Sequence, residues 1–131
     1  MTTLVDTSAL FAILNRDDAQ HARASTWFAG VRDDSERLVT HNYIALESAA
    51  LVRRRLGGEA VSALFDSLLG SIRVQFIDEP LHRAAVAAHL ARPARPSLVD
   101  QVSFRFMRDR GIQRVFAFDE DFAREGFEVV P

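Results

Sequence analysis

Short apolar runs alternate along the chain with longer segments in which apolar residues recur at helical spacing. The first run, Thr2–Val5, favours a strand that ends abruptly in polar residues. Four later runs predict further strands, at Leu38–Thr40, Ile72–Ile77, Val115–Phe118 and Phe127–Val130. All five runs are short, which is typical of the strands of a compact sheet rather than of membrane-spanning segments.

The segments between these runs predict helices, and proline or glycine residues mark several of their ends. The predicted helices cover Ala9–Leu14, Ala19–Val31, Asn42–Leu56 with Asn42 as N-cap, Glu59–Leu69, a segment opened by Glu79-Pro80, Ser97–Arg110 and Glu120–Arg124. Strands that alternate with helices form βαβ crossovers. The sequence therefore predicts an α/β fold, with a mostly parallel central sheet covered by helices on both faces in three α/β/α layers.

The length of 131 residues predicts one domain that spans residues 1–131. No uncharged run exceeds nine residues, so no membrane span is expected. The chain has no cysteine, which excludes disulfides, thiolate metal sites and cysteine nucleophiles. Because no secretory signal precedes the first strand, we expect a cytoplasmic protein.

All sixteen basic residues are arginine, and the net charge is −2. The absence of lysine excludes P-loop and Schiff-base chemistry. The slightly negative charge argues against a protein that coats nucleic acid through bulk charge alone.

Two aspartates directly follow predicted strands. Asp6 is the only charged residue among the first fifteen, and Asp119 follows the run that ends at Phe118. The carboxyl ends of parallel strands meet at one edge of a sheet, where ligands bind in open α/β folds. Each aspartate is also well suited to cap the helix that follows it, so either residue alone has a structural explanation.

Two further acids lie on predicted helices. Glu47 is the only charge between Tyr43 and Val52, and burying an unpaired carboxylate costs several kcal/mol. It therefore needs either a functional partner or a salt bridge, for which Arg54 is the candidate. Asp100 follows Ser97 by three residues, which is the pattern of a helix capping box. It also lies in the first turn of a helix after a proline-rich loop, where a side chain can reach the edge of the sheet.

Taken together, the four acids predict a metal site. Their mutual repulsion calls for a cation, and oxygen ligands select hard ions such as Mg²⁺ or Mn²⁺. Such an ion can activate a water for attack on a phosphodiester. The four histidines, at positions 21, 41, 82 and 89, match no zinc-binding spacing, and no phosphate-binding glycine loop is present.

Four motifs that span almost the whole chain resemble those of the PIN-domain ribonucleases, and most closely those of the VapC-type toxins. The motifs are Leu4–Leu10, which contains Asp6; Tyr43–Glu47; Ser97–Asp100; and Phe118–Phe122, which contains Asp119. The resemblance implies a PIN-like fold and an Mg²⁺- or Mn²⁺-dependent endoribonuclease. It also implies a homodimer and a cognate antitoxin that holds the enzyme inactive.

Carried over to this chain, the resemblance assigns Asp6, Glu47, Asp100 and Asp119 as catalytic metal ligands. Ser8 is expected to orient Asp6. Asp121 is expected to face solvent, although it could share or replace the role of Asp119.

Two arginine groups are candidate RNA contacts, because guanidinium groups suit bidentate contact with phosphate. Arg53 and Arg54 belong to a basic run that ends with Arg55 on the helix bearing Glu47, where a solvated helix end is the alternative explanation. Arg92 and Arg95 flank the loop before Asp100.

Two other functions stay open at this point: a non-catalytic PIN-like module that binds RNA or protein, and a DNA nuclease of similar metal chemistry. The apolar residues Phe11, Leu14, Trp27 and Phe28 are expected to offer a surface for the antitoxin.

Overall fold

The computed structural model describes residues 1–31, 35–92 and 94–131, and these ranges contain five strands and seven α-helices. The strands are β1 (Thr2–Val5), β2 (Arg37–His41), β3 (Arg73–Gln75), β4 (Arg114–Phe116) and β5 (Glu128–Val130). The helices are α1 (Thr7–Leu14), α2 (His21–Val31), α3 (Asn42–Leu56), α4 (Gly58–Ala63), α5 (Glu79–Ala91), α6 (Leu98–Arg110) and α7 (Glu120–Arg124).

The five strands form one parallel sheet in the order β3-β2-β1-β4-β5. This confirms the predicted α/β fold and its parallel sheet. The central strand β1 is fully buried at Leu4 and Val5, as expected for a parallel strand covered on both faces. Since all strands run the same way, their carboxyl ends lie at one edge, which is the edge where Asp6 leaves β1.

Helices cover both faces of the sheet. Phe116, which pairs with Val5, packs against Trp27 of α2, with 4.3 Å between ring centroids. The side chain of His41 in β2 points to the opposite face of the sheet, where it contacts Ser103 of α6. The three layers follow from this alternation, because successive residues of a strand point to opposite faces.

The start of α3 differs from the prediction that Asn42 is its N-cap. His41 is the capping residue, and its Nδ1 accepts a hydrogen bond from the backbone N–H of Ile44 at 3.2 Å. Asn42 is the first helical residue, and its side chain instead accepts from the N–H of Ile77 at 2.8 Å. The buried histidine thus replaces the usual short polar cap.

The single helix predicted over Glu59–Leu69 is also different in the structure. Helix α4 ends at Ala63, a π-helical turn covers Leu64–Leu68, and a 3₁₀ turn follows at Leu69–Ser71. The wider turn places Leu64 and Leu68 in the core while Phe65 stays exposed. Helical spacing alone does not reveal such a change of pitch.

The apolar residues expected to form a partner surface are only partly available for it. Leu14, Trp27 and Phe28 pack against the core and are half-buried. Phe11 lies under the guanidinium of Arg55, 5.6 Å from the ring centroid.

Among the described helices, none is long and apolar enough to cross a membrane.

The protonation state of His41 generates a prediction about stability. Its Nδ1 accepts from Ile44, so Nε2 carries the hydrogen and donates to the Ser103 hydroxyl at 2.8 Å. Burial, with a smaller effect from the Arg110 charge, lowers the pKa of His41 from 6.5 to about 3. Between these two values only the unfolded chain takes up this proton, so the free energy of unfolding should fall as the pH falls.

We expect His41 alone to remove about 2 kcal/mol of stability between pH 6.5 and pH 5. The variant His41→Asn keeps a capping oxygen but cannot titrate, so it should lack this part of the pH dependence. Urea unfolding of both proteins at the two pH values measures the difference. An equal loss of stability in both proteins would show that His41 is not the titrating group.

Candidate active site

Asp6 lies where β1 passes into α1, and it is 4% exposed. Its Oδ2 accepts hydrogen bonds from the backbone N–H of Ser8 at 3.1 Å and from the Ser8 hydroxyl at 2.7 Å. The Ser8 hydroxyl in turn accepts from the N–H of Phe118 at 2.9 Å. Ser8 therefore connects Asp6 to the segment after β4 that carries Asp119, and its position agrees with the orienting role predicted for it.

Glu47 points from α3 towards the start of α1. Its Oε1 accepts a hydrogen bond of 2.6 Å from the hydroxyl of Thr7, and the Ser48 hydroxyl donates to Thr7 at 3.2 Å. Among the ion pairs of the described residues, none joins Glu47 to Arg54. The structure thus does not support the salt bridge considered for Glu47. Thr7 was missed in the sequence, although its place directly after Asp6 was a usable signal.

Asp100 and Asp119 are both capping residues, as their sequence patterns predict. Ser97 and Asp100 form a complete capping box at the start of α6. In it, Asp100 Oδ2 accepts from the N–H of Ser97 at 3.3 Å. Asp119 Oδ1 accepts from the N–H of Asp121 at 2.9 Å and caps α7.

These capping roles leave room for a second function, because each of the four acids uses only one of its oxygens. The bonds above engage Oδ2 of Asp6 and Asp100, Oε1 of Glu47 and Oδ1 of Asp119. The second oxygen of each carboxylate has no hydrogen bond to any described residue. A side chain fixed through one oxygen presents the other in a defined direction, which is how outer hydrogen bonds orient metal ligands.

The acids also influence each other's ionisation. Burial is the main cause that raises the pKa of Asp6 from 3.8 to about 7, with smaller contributions from the charges of Asp100 and Glu47. Burial likewise raises the pKa of Asp100 to about 6, followed by the charges of Asp119 and Glu47. Asp100 thus interacts repulsively with Asp6, Glu47 and Asp119, and Asp6 also with Glu47. A bound cation would offset both the desolvation of these carboxylates and their repulsion.

Asp121 differs from the expectation that it faces solvent. It is 8% exposed, and a carboxylate oxygen of each of Asp100, Asp119 and Asp121 lies within 4.8 Å of the others. Unlike the other four acids, Asp121 has a cationic partner, since Arg124 donates to its Oδ1 at 2.9 Å. The spacing of three residues along α7 is the sequence signal for this pair.

The donor set suits a hard divalent cation. It consists only of carboxylate oxygens, which Mg²⁺ and Mn²⁺ prefer over the softer metals. Asp6, Glu47, Asp100 and Asp119 are the residues predicted to hold the ion. Of these, Asp100 and Asp119 lie in the close carboxylate cluster with Asp121, whose charge is partly balanced by Arg124.

The predicted RNA contacts occupy different positions around these acids. Arg95 lines a cavity of about 370 Å³ together with Ser8, Phe118, Asp119 and Asp121, so this cavity opens directly beside the acids. Arg92 instead forms an ion pair of 2.9 Å with Glu125. Arg53 and Arg54 are exposed in the last turn of α3, nearly two helical turns from Glu47.

Comparison with known proteins identifies one family and several relatives. The family model "PIN domain" matches residues 3–128. The 23S rRNA-specific endonuclease VapC20 of Mycobacterium tuberculosis is 36% identical over 130 residues, which is 97% of each chain. The crystal structure of M. tuberculosis VapC20, described as a sarcin-ricin loop cleaving toxin, superposes with a TM-score of 0.86 at 34% identity over the full length of both chains.

Two more distant structures share the fold. FitAcB from Neisseria gonorrhoeae matches with a TM-score of 0.70 at 16% identity, over 100% of this chain and 97% of the other. VapBC2 from Rickettsia felis, bound to a DNA fragment from its promoter, matches with a TM-score of 0.73 at 8% identity, over 98% and 97%. At these identities the likeness concerns the fold alone.

The raised pKa of Asp6 predicts that one substitution stabilises the metal-free protein. The folded state keeps a proton on Asp6 that the unfolded chain releases above pH 3.8, so this contribution to stability is lost as the pH rises through about 7. Asp6→Asn keeps the capping oxygen and removes the buried charge. Its unfolding free energy should exceed that of the wild type by up to about 4 kcal/mol at pH 8, and by little near pH 4.

Urea unfolding in chelator across this pH range measures the difference. Asp78→Asn, at the exposed N-cap of α5, serves as the matched control for the capping chemistry. A loss of stability in Asp6→Asn at every pH would mean that Asp6 serves only as a cap.

Proposed function

The chain belongs to the PIN-domain family, and we propose that it is a divalent-metal-dependent endoribonuclease of the VapC toxin type, with residues 1–131 acting as one nuclease domain. The observation that carries the proposal is the set of four acids at the carboxyl edge of the sheet, each held through one oxygen. VapC20, whose names describe cleavage of 23S rRNA and its sarcin-ricin loop, supports the same RNA loop as the substrate.

Asp6, Glu47, Asp100 and Asp119 are the proposed catalytic residues and would hold Mg²⁺ or Mn²⁺. The bound ion would lower the pKa of a water and stabilise the charge that develops on the phosphodiester. The chain's own hydrogen bonds fix the ligands in advance: Ser8 orients Asp6, and Thr7 orients Glu47. This arrangement reduces the reorganisation needed when the substrate binds.

Arg95 is the proposed contact for the substrate phosphate next to the acids. Its guanidinium has no ion pair with any described residue, whereas Arg92 is engaged by Glu125 and Arg124 by Asp121 and Glu120. Arg53 and Arg54 would contact RNA further along α3. Phe118, which lines the same cavity as Arg95, offers an apolar wall for a nucleobase.

We further propose a cognate antitoxin and a homodimer, as the family resemblance implies. A basic side chain of the antitoxin could neutralise the acids in place of the metal ion. We place the reaction in the cytoplasm, where ribosomal RNA is available.

The first test of this function is metal-dependent cleavage. We expect the protein to cut a sarcin-ricin loop oligoribonucleotide in Mg²⁺ or Mn²⁺, and to leave it intact in EDTA. Asp100→Asn should lower the rate by more than about 100-fold, since even residues that only orient metal ligands cost 10–100-fold. Asp17→Asn, which changes an exposed acid in the loop after α1, is the control.

A DNA oligonucleotide of the same sequence tests the alternative nucleic acid. Cleavage of RNA that persists unchanged in chelator would contradict the metal mechanism. Preferential cleavage of the DNA would contradict the proposed substrate.

The second test separates the two arginines of the loop before α6. Arg95→Gln should raise the KM for RNA about tenfold or more, because it removes one charge-assisted contact with phosphate. Arg92→Gln should have a clearly smaller effect, since the ion pair with Glu125 already occupies Arg92 and Arg108 still holds that carboxylate. Steady-state kinetics on the same oligonucleotide would refute this assignment if the two variants lost activity equally.

A further inference from the structure

The amino edge of the sheet, opposite the acids, carries a second charged surface. A cavity of about 580 Å³ opens there between the starts of the strands and the end of α6. Its lining includes four arginines, at positions 37, 73, 110 and 114, and two glutamines, at positions 75 and 113. Glu128 is the one carboxylate among the described residues of this lining. We refer to this cavity as the arginine cleft.

Strand register brings two of the arginines to the same face. Arg73 pairs with Val39 on the neighbouring strand, and Arg37 precedes Val39 by two residues, so both side chains lie on the face that bears Val39. Such diagonal neighbours are about 7–8 Å apart and within reach of each other's long side chains. Like charges in this arrangement repel, so their placement favours an anion between them.

Arg110 reaches the same face from the end of α6. It donates to the Gln75 side chain at 3.1 Å, and its guanidinium stacks on the ring of Phe106 at 4.1 Å from the centroid. These contacts fix the guanidinium without neutralising it. A fixed guanidinium loses little freedom when it binds a phosphate.

The described carboxylates near the cleft form ion pairs with Arg114 and not with the other three arginines of its lining. Glu128 and Glu36 both pair with Arg114 at 3.5 Å. In contrast, Arg37, Arg73 and Arg110 form no ion pair with any described residue. Within the described ranges, three positive charges thus remain on the cavity, together with amide groups that can also donate hydrogen bonds.

We propose that the arginine cleft is a second RNA-binding site, which holds the phosphate backbone of a folded substrate away from the bond that is cut. Guanidinium and amide donors match phosphate oxygens. The cleft lies at the opposite end of strands whose length is about 10 Å, so it cannot hold the phosphate that reacts at the acids. The inference rests on the proposed RNA substrate.

The cleft also answers an electrostatic requirement of that substrate. The four acids repel RNA at the edge where it must be cut, and the net charge of the protein is −2. A positive site at the other edge compensates by binding a segment that a short oligonucleotide does not have. The cleft should therefore matter for large structured RNA and not for a minimal substrate.

The test uses the double variant Arg37→Gln/Arg73→Gln and two RNAs, a large fragment of 23S rRNA and a short oligonucleotide that contains only the cleaved loop. Binding is measured in Ca²⁺, which is intended to support binding without cleavage. We expect the Kd for the large RNA to rise about tenfold and the slope of log K against log salt to fall by about 1.5, as for two lost phosphate contacts. Cleavage of the short oligonucleotide should not change.

Arg83→Gln/Arg105→Gln removes the same charge from two exposed helical ion pairs and is the matched control. Thermal melting should show the cleft variant to be at least as stable as the wild type at low salt, because it removes repulsion. If the double variant does not fold, the two single variants carry the test, each with about half the change in slope.

Four results would overturn the inference. The first is an unchanged Kd and salt slope for the large RNA. The second is loss of short-oligonucleotide cleavage by the folded variant, which would place these arginines at the cleavage site. The third is stabilisation of the wild type by pyrophosphate that large RNA does not compete away, which would indicate a small anionic ligand. The fourth is loss of protein-partner binding alone, which would indicate a protein ligand. Absence of RNA cleavage by the wild type would refute the proposed function, while the binding measurements would still decide on the cleft.

Discussion

The desolvation and mutual repulsion of carboxylates at one edge of a parallel sheet are the constraint on which the functional architecture depends, with Asp6 buried and Glu47, Asp100 and Asp119 half-buried. The fold creates this constraint. Strands β1 and β4 end at one edge of the sheet, and helices α1, α6 and α7 begin there. No described arginine forms an ion pair with Asp6, Glu47, Asp100 or Asp119. Burial, followed by the charges of the neighbouring acids, raises the pKa of both Asp6 and Asp100. A divalent cation is the proposed compensation, and the proposed chemistry uses that same ion.

The local hydrogen bonds explain how the chain tolerates this arrangement. Each acid has a structural task that holds it in place without a metal ion: three cap helices, and Glu47 is held by Thr7. The same carboxylate can therefore cap a helix and bind a metal ion, because each role uses a different one of its two oxygens. This compatibility explains why the sequence patterns of Asp6, Asp100 and Asp119 could be interpreted in both ways.

The sequence predicted most of the fold, since apolar periodicity identifies the strands and helices that form the core. It failed where long-range contacts decide the local structure. The buried contact of His41 with Ser103 makes the histidine a cap in place of Asn42, and core packing of Leu64 and Leu68 accompanies the π-helical turn. The burial of Asp121 was also missed, although its partner Arg124 lies only three residues further along α7. The acids could be selected as candidates because charges in apolar surroundings are rare. The different surroundings of Arg95 and Arg92 became visible only with the position of Glu125.

The release of protons on metal binding tests most directly whether the repelling carboxylates are the metal site. At pH 6.5 Asp6 and Asp100, with pKa values of about 7 and about 6, share about one proton in the metal-free protein, and bound metal should expel it. Titration calorimetry with Mn²⁺ in buffers of different ionisation enthalpy counts this proton. The account predicts release of about one proton at pH 6.5, falling towards zero at pH 8.5, with less released by Asp6→Asn. Metal binding with no buffer dependence at either pH would contradict it.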